Sequence, residues 1–444
     1  MSFSKTQDRV SQKDFLITLA TNIFIQACAV ATGIIAARLL LPEGRGELAA
    51  VLLWPTIFAA IGIYGTNWVI TREIGQDRSR EPDLARASVI LGLVLGIIGM
   101  AVGYYLIPLL LPADKAHLIW QTRLFLLLLP LNYTAFNLLG LDQGGLRFKR
   151  YNWTRAFFYI PYLSMLISFY LLKKASVLWF VIANLIGWLT LALVRLIIYR
   201  KLIRAGKPDL GLYKRILARG HGFTGAAIAM QSALRLDQII LVSFLGSAQL
   251  GFYVVALAFS SAHASLGNAL NIVTFASTAQ KQNRKTAGEF LARTFRRSIL
   301  LYMLASGGVA ALSPILIVPF FGSEFAPAIV PCSILAIFTG LSSLAKILDE
   351  ALRGAGLPVP GIWSKVWSSL TLILLAWVLI PGYGITGMAC AAVGNGLMQV
   401  IYLSRKAQIH FGISWLDLWG IRLSTAKDLL NMAYKIPAVL SRQQ

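Results

Sequence analysis

The sequence predicts an all-α polytopic membrane protein, with about twelve transmembrane helices in two parallel six-helix lobes around a central cavity. Three observations predict it. Apolar runs long enough to cross roughly 30 Å of hydrocarbon, about 20 residues each, recur along all but the last part of the 444 residues. The basic residues fall almost entirely into every second gap between those runs. A stretch near the start of the chain is echoed at the corresponding point of its second half.

The first six runs cover residues 15–40, 46–71, 87–112, 117–141, 152–172 and 176–199. The second six cover 218–245, 249–278, 298–321, 326–351, 358–381 and 384–404. Counting those near a run's edge with the adjoining gap, 33 of the 41 Lys and Arg residues lie in one set of gaps and the two ends of the chain, five in the other set, and three (Arg123, Arg235 and Lys346) remain within runs. Basic loops stay in the cytoplasm, so this sorting places both termini there and supports an even number of crossings. The expected organisation is therefore a first lobe over 1–199, a basic cytoplasmic linker over 200–217, a second lobe over 218–405 and a cytoplasmic tail over 406–444. The tail carries Trp415, Leu416, Leu418 and Trp419 among charges, the pattern of an interfacial amphipathic helix.

Composition narrows the function classes. The chain is 57% hydrophobic and only 13% charged, far below the quarter or so of charged residues in a soluble domain. Its net charge of +23 sits in short loops, where it sets topology and attracts anionic lipid rather than nucleic acid. Cys28, Cys332 and Cys390 lie in apolar runs with no paired spacing, and His117, His221, His263 and His410 do not cluster, so neither zinc nor disulfides are expected. No phosphate-binding glycine loop or nucleophile elbow is present, and no cofactor is expected. The outer gaps, such as Pro42–Arg45 and Pro381–Gly384, are too short for the catalytic loop of a membrane glycosyltransferase. This points to a transporter rather than an enzyme.

Setting Gly46 against Gly251 aligns Leu39–Trp54 with Phe244–Phe259, each the end of a lobe's first helix, a tight outer turn and the start of its second. An even number of spans per lobe gives the two repeats the same orientation.

The run Gly33–Leu40 leading into Pro42–Ala50, with Arg235–Leu241 followed by Leu250–Tyr253, resembles the first hairpin and the seventh and eighth spans of bacterial oligosaccharide and O-antigen flippases. These belong to the multidrug/oligosaccharidyl-lipid/polysaccharide exporter superfamily. The resemblance spans the whole membrane region and implies a multidrug and toxin extrusion-like fold in a bacterial inner membrane. Many members of that family have fourteen spans, so a last pair that can widen a lipid groove is missing here. The resemblance also implies a function. A polyprenyl-diphosphate-linked oligosaccharide would pass from the cytoplasmic to the outer leaflet by alternating access, for cell-surface polysaccharide biosynthesis. The implied partners are that lipid-linked glycan, membrane lipids, glycosyltransferases and a polysaccharide polymerase. A drug or organic-cation antiporter of the same superfamily is the alternative, but it would want acids in the first lobe's cavity.

Ionisable residues inside spans cost about 2.5–3.5 kcal/mol on insertion scales and so mark partners or watery cavities. Arg235, with Arg38 and Arg123, is expected to supply a cationic cavity, because the guanidinium fork suits diphosphate oxygens. Asn22, Gln26, Gln231, His263, Asn268 and Asn271 are expected as polar lining. Asp237, Lys346, Asp349 and Glu350 are expected as a gate or as coupling groups for H⁺ or Na⁺. Each has a plainer reading as well: snorkelling for Arg38 and Arg123, an ion pair for Arg235 and the charge cluster, packing for His263 and interhelical bonding for the amides.

Overall fold

The computed structural model describes residues 12–173, 176–265 and 283–420, together with Thr274 and Thr278; within these, the side chains of residues 12, 13, 15, 16, 222–234, 264 and 265 are not described. The described residues form helices and turns and contain no strand. Among them, seven helical stretches are long and apolar enough to cross a membrane. Two of the seven are double. The helix α1 (Gln12–Gly62) breaks at Leu41, with φ 58° and ψ −179°. Pro42 forbids the residue before it a helical conformation, and the proline then starts the next stretch, where its missing N–H costs nothing. The expected four-residue turn is thus compressed into one strained residue.

The remaining elements follow in order. α2 (Thr66–Gln76) leads through a 3₁₀ turn to α3 (Glu81–Leu110), and a second 3₁₀ turn (Ala113–Leu118) leads to α4 (Ile119–Phe125) and α5 (Leu128–Gly144). The expected fifth span is split into α6 (Phe148–Phe157) and α7 (Tyr159–Leu171), and the sixth is α8 (Val177–Ala205). α9 (Leu210–Phe244) runs from the basic segment through the expected seventh span. α10 (Ser247–Ser260) and a 3₁₀ turn (Ser261–Ser265) begin the eighth, most of whose remainder lies outside the described residues. Then come α11 (Arg284–Phe321), a 3₁₀ turn (Ser323–Ala328), α12 (Ile329–Gly354), α13 (Val359–Phe411) and the short α14 (Trp415–Trp419). α13 is the second double helix. It breaks at Gly384 (φ 52°) and folds back, so that Lys365 on one arm reaches Gln399 on the other.

The chain divides into two compact units, Met1–Gly251 and Phe252–Gln444. In the first, α3 and α5 pack at glycine: a side chain at Gly92 or Gly96 would run into the backbone of Thr134 or Pro130. Its apolar core gathers Ile70, Leu84, Leu138, Leu141, Tyr199 and Leu212. Within the same unit, Gly46 and Gly251 lie against each other's backbones. In the second unit, Leu291, Phe295, Leu348, Leu352, Leu403 and Phe411 form the corresponding core.

The repeat extends well beyond that glycine pair. The 3₁₀ turns Ala113–Leu118 and Ser323–Ala328 stand 210 residues apart, as do the helix ends Gly144 and Gly354. Two residues after each helix end, Leu146 (φ 56°) and Gly356 (φ 83°) both take the left-handed conformation. At the same offset, Trp153-Thr154-Arg155 matches Trp363-Ser364-Lys365.

Candidate functional site

That last match places one cation at the same point of each unit. In the first unit, α6 carries Arg155, half-buried, over a floor of fully buried Asn152 and Thr154. Asn152 is held by a hydrogen bond to Thr18 of α1 (2.7 Å). Arg155 donates to Asn22 Oδ1 at 3.3 Å and lies near Asn152 Oδ1 at 3.5 Å, with its guanidinium 5.1 Å from the Tyr151 ring. In the second unit, Lys365 donates to Gln399 Oε1 at 2.6 Å, and Gln399 donates in turn to Asn395, both amides being 5% exposed. Among the described residues, neither cation is within ion-pairing distance of a carboxylate. At Arg155 the neutral amides hold the guanidinium in place without cancelling its charge, which is what an anion-binding centre needs; Lys365 also feels the Asp349 carboxylate of the neighbouring helix.

Other cations are neutralised. Asp142, with no exposed surface, accepts from Arg150 (2.6 Å), from Arg195 and from the Tyr199 hydroxyl (2.8 Å), with Arg147 at 3.3 Å. Arg147 also donates to Glu81. Burial works against the charge of Arg147, but the bond to Glu81 and the nearby Asp142 carboxylate outweigh it and hold the guanidinium above its ordinary range. Glu73 takes Arg80 and Arg219. These groups tie helix ends together.

The residues expected from sequence divide three ways. Arg235 is half-buried and donates to Gln238 Oε1 at 3.0 Å; no described carboxylate is within ion-pairing distance, so its charge is retained. Arg38 is exposed at the end of the first arm of α1. Arg123 is spoken for: it donates to the Tyr104 carbonyl at 3.1 Å and its guanidinium sits 3.9 Å over the Tyr104 ring, a snorkelling arrangement on its own unit's α3. Neither partner cancels its charge. Asn22 and Gln26 are both exposed, and Asn22 is the one that meets a cation. Gln231, Asn268 and Asn271 lie outside the described side chains.

His263 is 6% exposed, 3.2 Å from Ser306 Oγ and beside Tyr302, which is the packing arrangement. Asp237 is 9% exposed. Of the charge cluster, Glu350 pairs with Arg353 at 3.2 Å and Lys346 is exposed. Asp349 lies against Gly361 of α13, with one carboxyl oxygen buried and unbonded. Among the described residues, no three His, Cys, Asp or Glu side chains gather as a metal site.

Sequence reasoning counted Arg155 and Lys365 among the cytoplasmic loop charges. The signal that finds them is the repeated Trp-Thr/Ser-Arg/Lys triplet.

Residues 11–278 match the model of a family described as polysaccharide biosynthesis protein. No curated protein matches the chain in sequence. Among solved structures it is similar to an inward-facing multidrug resistance MATE family transporter of the MOP superfamily, at 14% identity over 90% of this chain and 99% of that one (TM-score 0.73). It is equally similar to the lipid II flippase MurJ in an inward closed conformation, at 14% identity over 95% and 93% of the two chains (TM-score 0.73). A MOP superfamily transporter from Pyrococcus furiosus, described as having a binding pocket of reverse polarity, follows at 14% identity over 90% and 94% (TM-score 0.56). At these identities the likeness establishes the fold.

Proposed function

Because this chain belongs to the polysaccharide biosynthesis protein family, we propose that it moves a polyprenyl-diphosphate-linked oligosaccharide from the cytoplasmic to the outer leaflet of a bacterial inner membrane. It does so as a transporter, by alternating access, and not as an enzyme. The observation that carries this reading is the amide-held, uncancelled charge of Arg155. A diphosphate needs cations whose charge has not been spent on carboxylates, and a guanidinium offers paired, charge-assisted bonds to its oxygens. Arg235 is a further member of that cationic set, and Lys365 is its counterpart in the second unit; Arg38, exposed at the end of the first arm of α1, is a candidate contact at the rim. Asp349, Glu350, Asp237 and His263 are the groups through which H⁺ or Na⁺ would couple. Glycosyltransferases that complete the lipid-linked unit and a polymerase that consumes it are the partners in this scheme.

An organic-cation antiporter would want acids facing the cavity of the first lobe, residues 1–199. Asp142, Glu73 and Glu81 are instead each bonded to arginine, which favours an anionic cargo.

The test is transport of a labelled polyprenyl-diphosphate oligosaccharide by the full chain in proteoliposomes. Arg155→Ala should slow it by about tenfold or more, the loss of one charge-assisted bond pair. An unchanged rate at equal reconstituted protein would remove the role, and export of an organic cation without lipid transport would put the antiporter in its place.

A further inference from the structure

Beside Arg155, inside the first unit, lies a cavity of about 170 Å³ lined by Phe136, Phe158, Tyr159 and Trp188, with Ile25 and Leu191 behind them. The rings hold one another in place: Trp188 lies 5.1 Å from Phe158 and 5.9 Å from Phe136, and Tyr159 stands edge-on to Phe158 at 4.9 Å. Arg155 lines the same cavity, with Asn22 as its hydrogen-bond partner.

We infer that this cavity is the seat of one pyranose ring of the transported glycan, and that it sets which sugar the protein accepts. The inference rests on the lipid-linked glycan reading above and names its sugar subsite.

Size, chemistry and the repeat each argue for it. The cavity, about 170 Å³, is at the scale of a single sugar ring and well below the roughly 300–1,000 Å³ of a pocket that takes a whole drug-sized ligand. A pyranose presents a C–H face of slight positive charge, which suits the negative faces of aromatic rings, and a rim of hydroxyls, which suits a guanidinium and an amide. A prenyl chain would leave Arg155 facing hydrocarbon unpaired, and a bare diphosphate would make no use of four aromatic walls.

The repeat shows that the rings are not required by the fold. At the 210-residue offset, Phe136, Phe158 and Tyr159 correspond to Lys346, Ser368 and Ser369, while the cation is kept as Lys365. Packing of this helix pair is therefore achieved in the second unit without the aromatic box.

The experiment measures binding of three probes to the full chain in nanodiscs: farnesyl diphosphate, farnesyl-diphospho-glucose and farnesyl-diphospho-N-acetylglucosamine. Wild type should bind at least one sugar-bearing probe about tenfold more tightly than the bare diphosphate. Phe136→Leu, which keeps apolar volume but removes the ring, and Trp188→Ala should abolish that difference while leaving bare farnesyl diphosphate within about twofold of wild type. Trp188→Phe should retain most of it. Equal losses for all probes, or a sugar preference that survives both substitutions, would overturn the subsite. So would a wild-type chain that binds the bare diphosphate with no gain from either sugar. Failure to bind any of the three would overturn the flippase reading itself.

Discussion

Where the first unit buries Lys115, the second buries Phe325. Both sit at the centre of a six-residue 3₁₀ turn closing the end of a helix pair that the charge pattern predicts to be the outer one, at 1% and 0% exposure. Lys115 fills its place by donating to the Leu245 carbonyl (2.9 Å) and to Asp114 (2.7 Å). Phe325 fills its place with an edge-on contact to Phe252, 6.0 Å between ring centres. The opposite ends of the same helix pairs repeat the contrast. Asp142 collects Arg147, Arg150, Arg195 and Tyr199, whereas its counterpart Leu352 sits in the apolar cluster of Leu348, Leu403 and Phe411. The fold therefore demands a buried, well-packed group at these points and is indifferent to its chemistry. The two chemistries fail differently. An apolar plug loses in proportion to the volume removed, while an ionic knot that loses one member leaves charge buried without compensation.

The inner ends give the largest contrast. Asp142→Ala should destabilise the first unit by about 3–5 kcal/mol, because Arg195 has no exposed side-chain surface on which to shed its charge. Thermal unfolding of the detergent-solubilised protein would register it. Replacing Asp142 and Arg195 together, by Leu and Met, should recover much of that loss, since apolar substitution of a whole buried pair is often near neutral. A double variant no better than the single would mean that the knot is not the counterpart of the Leu352 core. At the outer turn of the second unit, Phe325→Ala should cost about 3 kcal/mol through the cavity it leaves. Lys115→Met keeps the length of the side chain but strands the Leu245 carbonyl, and should cost about 1–3 kcal/mol. If Lys115→Met proved the more damaging of the two, the turns would not be equivalent closures.

Much of this was legible in the sequence. Apolar run lengths and the sorting of charges are one-dimensional signals, and the two hairpin breaks, at Leu41 and Gly384, fall at or next to the turns that Pro and Gly marked. The fold class followed from them, and the family likeness from the residues of the two hairpins around Pro42 and Gly251. The site was only partly legible. Arg155 and Lys365 lie near the starts of their apolar runs, where a cation that faces inward and one that merely anchors the helix look the same in a count of charges. Only the folded chain shows the amides that hold them. The contacts of Arg123 were not legible either: its partners are a backbone carbonyl and the face of a ring, and neither contact leaves a trace in residue spacing. Asp142 and Lys115 read as charges at span ends, because burial by neighbouring helices is a tertiary fact. The aromatic box needed four elements to come together, α1, α5, the α6–α7 pair and α8, and no local pattern encodes that.

The smallest expected effect tests the outer comparison most finely. The alignment of Gly46 with Gly251 sets Glu47 opposite Phe252, and the contact Phe252 makes with Phe325 has a polar counterpart: Glu47 bonds His117 at 2.8 Å. Here the polar version should be weak. The His117 side chain is 56% exposed, so water screens the pair and the imidazole loses little when the bond breaks. His117→Ala should change stability by less than about 1 kcal/mol, against the roughly threefold larger cost of emptying the Phe325 site. The two variants can be measured side by side by intrinsic-fluorescence melts in the same detergent. Near-equal shifts would mean that the Glu47–His117 bond closes the first unit as firmly as the ring pair closes the second, and that Lys115 is not its principal latch. A shift confined to Phe325→Ala would leave closure of the first unit to the buried ammonium and the carbonyl of Leu245.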